Sequence, residues 1–269
     1  MHNKTRTRLW WAAIATALAM LVCGIASAQG DASALLAIVT EKPTWEDVTG
    51  LIARYDPSVL TTIAYAGPQK VINTIDDLSG NTNTLFQLDA FKRMKVLLAE
   101  INGLNAIGRT SVGEGSWMEF TTPLPAYPYT AVWVTKAATT TSFGIIFGTV
   151  GTESISYPYW YYSDGTSYTY GDAYWGSSGR SAGVHIESLW TDGSTAYLAR
   201  DGLSFGGVAV TVDAWVTSHG YDRFSQLFYN SSAIVDYGCT GEFLFYNRVL
   251  STTDRQLVEN YLIAKWGTP

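Results

Sequence analysis

The chain has 269 residues, 47% hydrophobic and 14% aromatic, with 17 Lys and Arg against 23 Asp and Glu and a formal charge of −6. A chain of this acidity does not condense on phosphates or on an anionic membrane face, which argues against nucleic-acid and membrane-surface roles. Its hydrophobic content supplies a sizeable core, and its two cysteines leave little scope for disulfides.

In chain order, the first eight residues carry Lys4, Arg6 and Arg8, residues 9–25 are apolar, and Ala26, Ser27 and Ala28 precede Gln29. A basic start, an apolar stretch and a small-x-small site in that order predict a secretory signal over residues 1–28. The rival reading is a retained transmembrane anchor, because residues 9–25 reach the short end of the roughly 17–25 residues a spanning helix needs. The small residues that follow favour cleavage. Val22 before Cys23 argues against a lipid-modified cysteine. Cleavage removes Lys4, Arg6 and Arg8, moving the formal charge from −6 to −9, and leaves 241 residues. That length suits one all-β domain, which runs to about 200–250 residues without splitting. The expected location is periplasmic, cell-surface or extracellular, with no membrane contact once the signal is gone. The mature chain then holds Cys239 alone, so no internal disulfide is expected. Cys239 reads as a small buried hydrophobe beside apolar strand residues.

Residues 29–54 read as a helical lead-in: Leu35, Leu36, Ile38 and Val39, a break at Pro43, then Val48, Leu51 and Ile52 at helical spacing. Tyr55, Asp56, Pro57 and Ser58 have turn chemistry. The chain is then polar and turn-rich to Gln87, and residues 91–101 read as one more short helix. From Trp117 onward, short runs rich in Val, Ile, Thr, Tyr, Phe and Trp alternate with Gly, Asp and Ser. Strands are expected over residues 117–121, 129–136, 143–150, 154–162, 168–170, 184–191, 196–200, 208–212, 214–217, 224–229 and 242–246. Asp164-Gly165, Asp192-Gly193 and Asp201-Gly202 are turn signals, the second placed as a hairpin requires. Residues 251–267 predict a helix. Ser251 and Asp254 have capping-box-like spacing, Leu257, Val258, Tyr261, Leu262 and Trp266 make an apolar face, and Gly267 suits the left-handed C-terminal position.

Three stretches carry a family resemblance. The first runs from Gly241 through Glu242, Phe243, Leu244, Phe245, Tyr246, Asn247 and Arg248 to Ser251, then Arg255, Gln256, Val258, Glu259, Tyr261, Leu262, Lys265, Trp266 and Gly267. It resembles the closing strand and helix of bacterial and phage concanavalin A-like, or laminin G-like, lectin/glucanase-superfamily domains. The second, Tyr55-Asp56-Pro57-Ser58 with Asp77-Leu78-Ser79-Gly80-Asn81 and Gln87, is similar to the entry of those domains, with Leu78 where Lys is usual. The third, Asn102-Gly103-Leu104-Asn105-Ala106 followed by Gly113-Glu114-Gly115, resembles their turn before the first core strand. The resemblance spans residues 55–267. It implies an all-β, two-sheet antiparallel jelly-roll sandwich over residues 55–269, with short N-terminal helices and one C-terminal helix. Domains of that family are often attached to surface, adhesive or virion proteins and vary in whether they bind sugars.

A retaining glycosidase needs two carboxylates about 5–5.5 Å apart. Enzymes of the superfamily carry them as Glu-x-Asp-x-x-Glu, and this sequence has no such run, so the expectation is a chain that is not an enzyme. The best acid/base pair is Glu187 with His185, two residues apart on one strand face, where a plain polar face is the rival reading. Calcium, which takes about 6–8 oxygen ligands, would have to draw on Asp164, Asp172, Asp192, Asp201 and Asp222, residues that also suit turns. With only His2, His185 and His219 a His/Cys zinc site is not expected, and no cofactor is required. The candidate ligand surface is the densest aromatic segment: Tyr157, Tyr159, Trp160, Tyr161, Tyr162, Tyr168, Tyr170, Tyr174 and Trp175, with Asp164 and Asp172 as polar companions. Aromatic rings there would stack on sugars or anchor a protein partner. The expected function is an exported, non-catalytic binding or display module, with carbohydrate as one candidate ligand. The alternatives are a structural or adhesive component of a cell envelope or virion, and a divergent carbohydrate-active enzyme using Glu187 and His185.

Overall fold

The computed structural model describes residues 44–67, 70–108, 116–137, 147–150, 155–156, 160–161, 168–170, 173–174, 183–210, 214–224 and 238–267. All but Thr44 fall in one compact unit, Trp45–Pro269. The signal segment and most of the lead-in lie outside the described residues.

The strands are β1 (Leu51–Tyr55), β2 (Ile63–Ala66), β3 (Val71–Ile75), β4 (Leu85–Phe86), β5 (Lys95–Ile101), β6 (Leu104–Gly108), β7 (Met118–Leu124) and β8 (Tyr129–Ala137). There follow β9 (Phe147–Val150), β10 (Ile155–Ser156), β11 (Trp160–Tyr161), β12 (Tyr168–Tyr170) and β13 (Ala173–Tyr174). Last come β14 (Gly183–Thr191), β15 (Thr195–Arg200), β16 (Leu203–Ala209), helix α1 (Ala214–His219), β17 (Tyr221–Phe224), β18 (Cys239–Tyr246) and helix α2 (Thr252–Trp266). Hydrogen bonding follows one path, β10-β9-β17-β7-β4-β3-β5-β6-β18-β8-β14-β15-β16, with β1 on β18 and β2 on β3. A second, small sheet is β11-β12-β13. The fold is all-β and antiparallel, with one long C-terminal helix.

Side-chain alternation along β18 and β8 explains where the cores sit. On β18, Phe243 and Phe245 enter an aromatic core while Leu244 and Tyr246 enter a second core beneath α2. On β8, Ala131 and Trp133 join the first and Val132 and Val134 the second. Every residue of β18 is buried, as expected for a strand covered on both faces, and residues 243–246 form an unbroken apolar run. The aromatic core also takes Ile72, Leu85, Phe120, Phe147 and Phe224 from β3, β4, β7, β9 and β17. The two halves of the hydrogen-bonded path therefore share one interior.

Helix α2 forms where its end signals lie. Ser251 caps it, its hydroxyl accepting from the Asp254 amide at 3.1 Å. Val258, Leu262 and Trp266 are buried against the sheet. Gly267 ends it with φ +69, and its amide donates to the Ile263 carbonyl. Gly241 allows the docking to be close, since a Cβ there would stand 2.9 Å from Val134 Cβ and 3.0 Å from the Trp266 ring.

Three local expectations are corrected. Residues 45–47 form a single 3-10 turn and residues 51–55 are β1, so the short N-terminal helices expected here are not formed over 44–55. Pairing with β18 sends Ala53 and Tyr55 into the aromatic core, and a register shift between Leu51 and Ala53 accommodates the apolar Ile52. The helix expected over 91–101 is not formed: residues 95–101 are β5, which pairs with β6 through Asn102 and Gly103. Both of those residues have positive φ (48° and 83°), the condition for a tight two-residue hairpin. The strand expected over 214–217 is α1, ended by Gly220 at φ +73.

Candidate functional site

The aromatic segment forms the small sheet. Trp160 pairs with Thr169 and Tyr161 with Tyr168, and β12 in turn pairs Thr169 with Tyr174 and Tyr170 with Ala173. The segment is thus a meander of three short strands off the main path, which brings Trp160, Tyr161, Tyr168, Tyr170 and Tyr174 onto one small platform of backbone. Tyr157, Tyr159, Tyr162, Asp164, Asp172 and Trp175 lie outside the described residues.

His185 and Glu187 do share a strand face, and that face is buried. His185 is 4% exposed and Glu187 1%. Each carries its own charged partner from β15 or the turn after it. Glu187 Oε1 accepts from Arg200 Nη2 at 2.9 Å, and His185 Nδ1 lies 2.8 Å from Asp201 Oδ2. The register explains the first pair, because Glu187 and Arg200 face each other directly across β14 and β15. Asp201 also accepts from the Ile186 amide at 2.9 Å. Burial pushes the Asp201 carboxyl up, but the His185 and Ile186 hydrogen bonds and the charges of His185 and Arg200 outweigh it and hold the group below its ordinary value. A His–Asp pair beside a buried Glu–Arg pair orients an imidazole and fixes a carboxylate in place.

The loop aspartates have local work. Asp192 accepts from the amides of Thr195 and Ser194 and from the Ser194 hydroxyl, which hold its carboxyl down at about 2. Asp201, with Gly202, makes the turn between β15 and β16. Among the described residues no group of three His, Cys, Asp or Glu is placed to hold a metal ion.

Sequence reasoning missed one charged cluster. Glu242, fully buried, lies on the face of β18 that α2 covers. It accepts from Arg54 Nε (2.7 Å), Lys265 Nζ (2.7 Å), Tyr261 Oη (3.0 Å) and Trp266 Nε1 (3.3 Å). Lys265 also pairs with Asp56. The Arg54 guanidinium stands 4.4 Å over the Trp45 ring, which stacks on Tyr261 at 4.6 Å. The one local signal was a glutamate inside an otherwise apolar strand. Its donors come from β1 and α2, and no spacing rule links them.

This cluster gives an alkaline prediction. Burial pulls the Lys265 ammonium down, but Glu242 and Asp56 outweigh it and hold the group above its ordinary 10.5. Burial, and then Glu242, push the Tyr261 hydroxyl from 10.0 up to about 12. The folded state therefore keeps these protons to higher pH than the unfolded chain. Their stabilisation is complete below the unfolded values and is lost as pH rises through the folded ones. The urea midpoint is expected to fall between about pH 10 and 12, and Tyr261→Phe together with Lys265→Met is expected to flatten that fall. An unchanged slope in the double variant would assign the transition to other groups.

No family model and no curated protein matches the sequence. Among solved structures the chain is similar to Trypanosoma rangeli sialidase in complex with sialic acid, with TM-score 0.55, 12% identity, and coverage of 82% of this chain and 34% of that one. It is also similar to the botulinum neurotoxin serotype D binding domain, with TM-score 0.53, 14% identity, and coverage of 82% and 54%. The chain thus spans about a third of the sialidase and about half of the toxin structure. At these identities the likeness is one of fold. It corrects one expectation, that the chain is not an enzyme. The missing Glu-x-Asp-x-x-Glu run excluded one glycosidase arrangement only, and the fold is similar to structures that are sialidases, so the absence of that run does not exclude catalysis.

Proposed function

We propose that the chain is an exported carbohydrate-binding protein, built as a concanavalin A-like jelly-roll sandwich, that holds glycans on the β11–β13 sheet. One observation carries the reading: the stretch richest in Tyr and Trp forms a sheet of its own, off the path that builds the core. Those residues are not called on to close the main sheet. Flat amphipathic rings suit the apolar faces of sugars, and their hydroxyl and indole groups suit the sugar rims. The fold likeness to a sialidase solved with sialic acid supports the same ligand class. Calcium, if used, would draw on Asp164 and Asp172 at the same segment. Export is part of the proposal, with residues 1–28 removed, a lead-in from residue 29, and the sandwich over 55–269. The mass of the exported protein tests it, the expected N-terminus being Gln29.

The binding test is a glycan array probed with wild type and with Trp160→Ala, Tyr161→Ala and Trp175→Ala. At least one glycan class is expected to bind, and each variant to weaken it by about tenfold or more, as loss of a central aromatic anchor does. Binding to no glycan would sink the reading and favour a structural or adhesive role through protein contacts. The same incubations report hydrolysis. Released sugar that disappears in Glu187→Gln would make the His185–Asp201 and Glu187–Arg200 pairs a catalytic centre.

A further inference from the structure

Between the end of β7 and the junction of α1 with β17 lies an open cleft of about 410 Å3, lined by Pro123, Pro125, Tyr127, Thr217, His219 and Gly220 among others. We infer that this cleft is a second sugar site, holding one neutral pyranose ring against Tyr127. The inference rests on the carbohydrate reading above but uses none of the residues of the tyrosine-rich sheet.

The cleft is shaped by two close approaches that only glycine permits. Gly220, at φ +73, lies where a Cβ would run into the Leu124 carbonyl oxygen, so the start of β17 seats directly on the end of β7. Gly193, at φ +98, lies where a Cβ would stand 2.7 Å from the Tyr127 ring. The turn between β14 and β15 therefore braces that ring from one side. Tyr127 nonetheless stays 39% exposed. A large aromatic side chain that is braced but not covered has paid its ordering cost before any ligand arrives. The floor is firm as well: Leu124 and Ala126 are buried, and the Tyr221 hydroxyl donates to the Ala126 carbonyl at 3.4 Å.

The lining mixes the two kinds of group a sugar ring carries. Tyr127, Pro123 and Pro125 bring apolar surface suited to a C–H face, and Thr217 and His219 bring polar groups suited to hydroxyls. Ser218 Oγ lies 2.7 Å from His219 Nδ1 and orients the imidazole. The volume falls in the range of about 300–1,000 Å3 typical of small-molecule sites. Among the described residues its lining includes no Asp, Glu, Lys or Arg. That composition suits a neutral sugar and gives no lysine or arginine clamp for a carboxylate.

Saturation-transfer NMR and titration with the methyl glycosides of glucose, galactose and N-acetylglucosamine, and with sialic acid, test the inference. At least one neutral glycoside is expected to bind. Tyr127→Ala should weaken it about tenfold or more, Tyr127→Phe should retain it, and Lys136→Ala, in an exposed ion pair away from both sugar surfaces, should leave it unchanged. A thermal melt equal to wild type would show that Tyr127→Ala is folded. Neutral binding untouched by Tyr127→Ala but lost in Trp160→Ala would overturn the cleft and leave the tyrosine-rich sheet as the sugar surface. A preference for sialic acid at the cleft would overturn the assignment to a neutral ring. Failure of every sugar to bind would remove both readings.

Discussion

Glu242→Ala is expected to lower the folding free energy by about 3–5 kcal/mol, the usual result of removing one partner from a buried, hydrogen-bonded ion cluster. The glutamate neutralises Arg54 and Lys265, whose side chains are only 18% and 22% exposed. With alanine in its place, Asp56 alone faces two cations, and the Tyr261 hydroxyl and Trp266 indole lose an acceptor. Most of the effect comes from cations left poorly solvated, and not from the net worth of the pairs. Replacing Arg54 by methionine in the Glu242→Ala background, which leaves Asp56 paired with Lys265, should therefore recover part of the loss. Lys136→Ala is the control: its pair with Glu100 has both side chains more than a third exposed, and about 0–1 kcal/mol is expected there. Urea titration followed by far-UV circular dichroism measures all of these. A Glu242→Ala midpoint no lower than that of Lys136→Ala would mean that α2 is held by its apolar face alone.

Phe243→Ala is expected to be comparably severe, at about 3–5 kcal/mol, but for a different reason. Its side chain is fully buried and its ring centroid lies 5.2 Å from Phe224, 5.7 Å from Phe147 and 6.2 Å from Tyr55. Those partners come from β17, β9 and β1, so the cavity left by truncation opens at the point where both halves of the sheet path meet. Edge-to-face pairs such as those with Phe224 and Phe147 add about 0.5–1.5 kcal/mol each beyond the area they bury. Near-UV circular dichroism and thermal melting are the measurements. Phe243→Leu should keep most of the stability while losing part of the aromatic signal, because volume matters more than ring geometry to the first quantity. A Phe243→Ala protein melting with wild type would show that the aromatic cluster is not the interior on which the fold depends.

The features legible in the sequence were those written in adjacent residues. Ser251 and Gly267 bracket α2, Asp192-Gly193 and Asp201-Gly202 turn the β14–β15–β16 meander, and the Val, Ile, Tyr and Trp runs of β8 and β14 show as strands. The misread elements were short apolar runs in which helical and extended spacing coincide. For residues 51–55 the decision lies with β18, some 190 residues later, which offers backbone partners and an aromatic interior for Tyr55. For residues 95–101 the decision lies with the Asn102-Gly103 turn, a signal that was present and was outweighed by the spacing of the hydrophobic residues. At the candidate sites, the density of Tyr and Trp over 157–175 was visible but not their pairing into a separate sheet. Glu187 and His185 were visible as neighbours on a strand face, but Arg200 and Asp201, which bind them, were known only as part of another hairpin. Tyr127 gave no signal, because what braces its ring is Gly193, from a turn more than sixty residues later in the chain.

The position of β18 sets an order on biosynthesis. This strand lies between β8 on one edge and β6 and β1 on the other, and it feeds both interiors. A chain emerging N-terminus first has made β1, β6 and β8 long before residues 239–246 exist, and none of the three can complete its pairing until they do. Co-translational folding can close the Asn102-Gly103 hairpin and the β14–β15–β16 meander early. It cannot close the body of the protein, which stays open until β18 and α2 have been made.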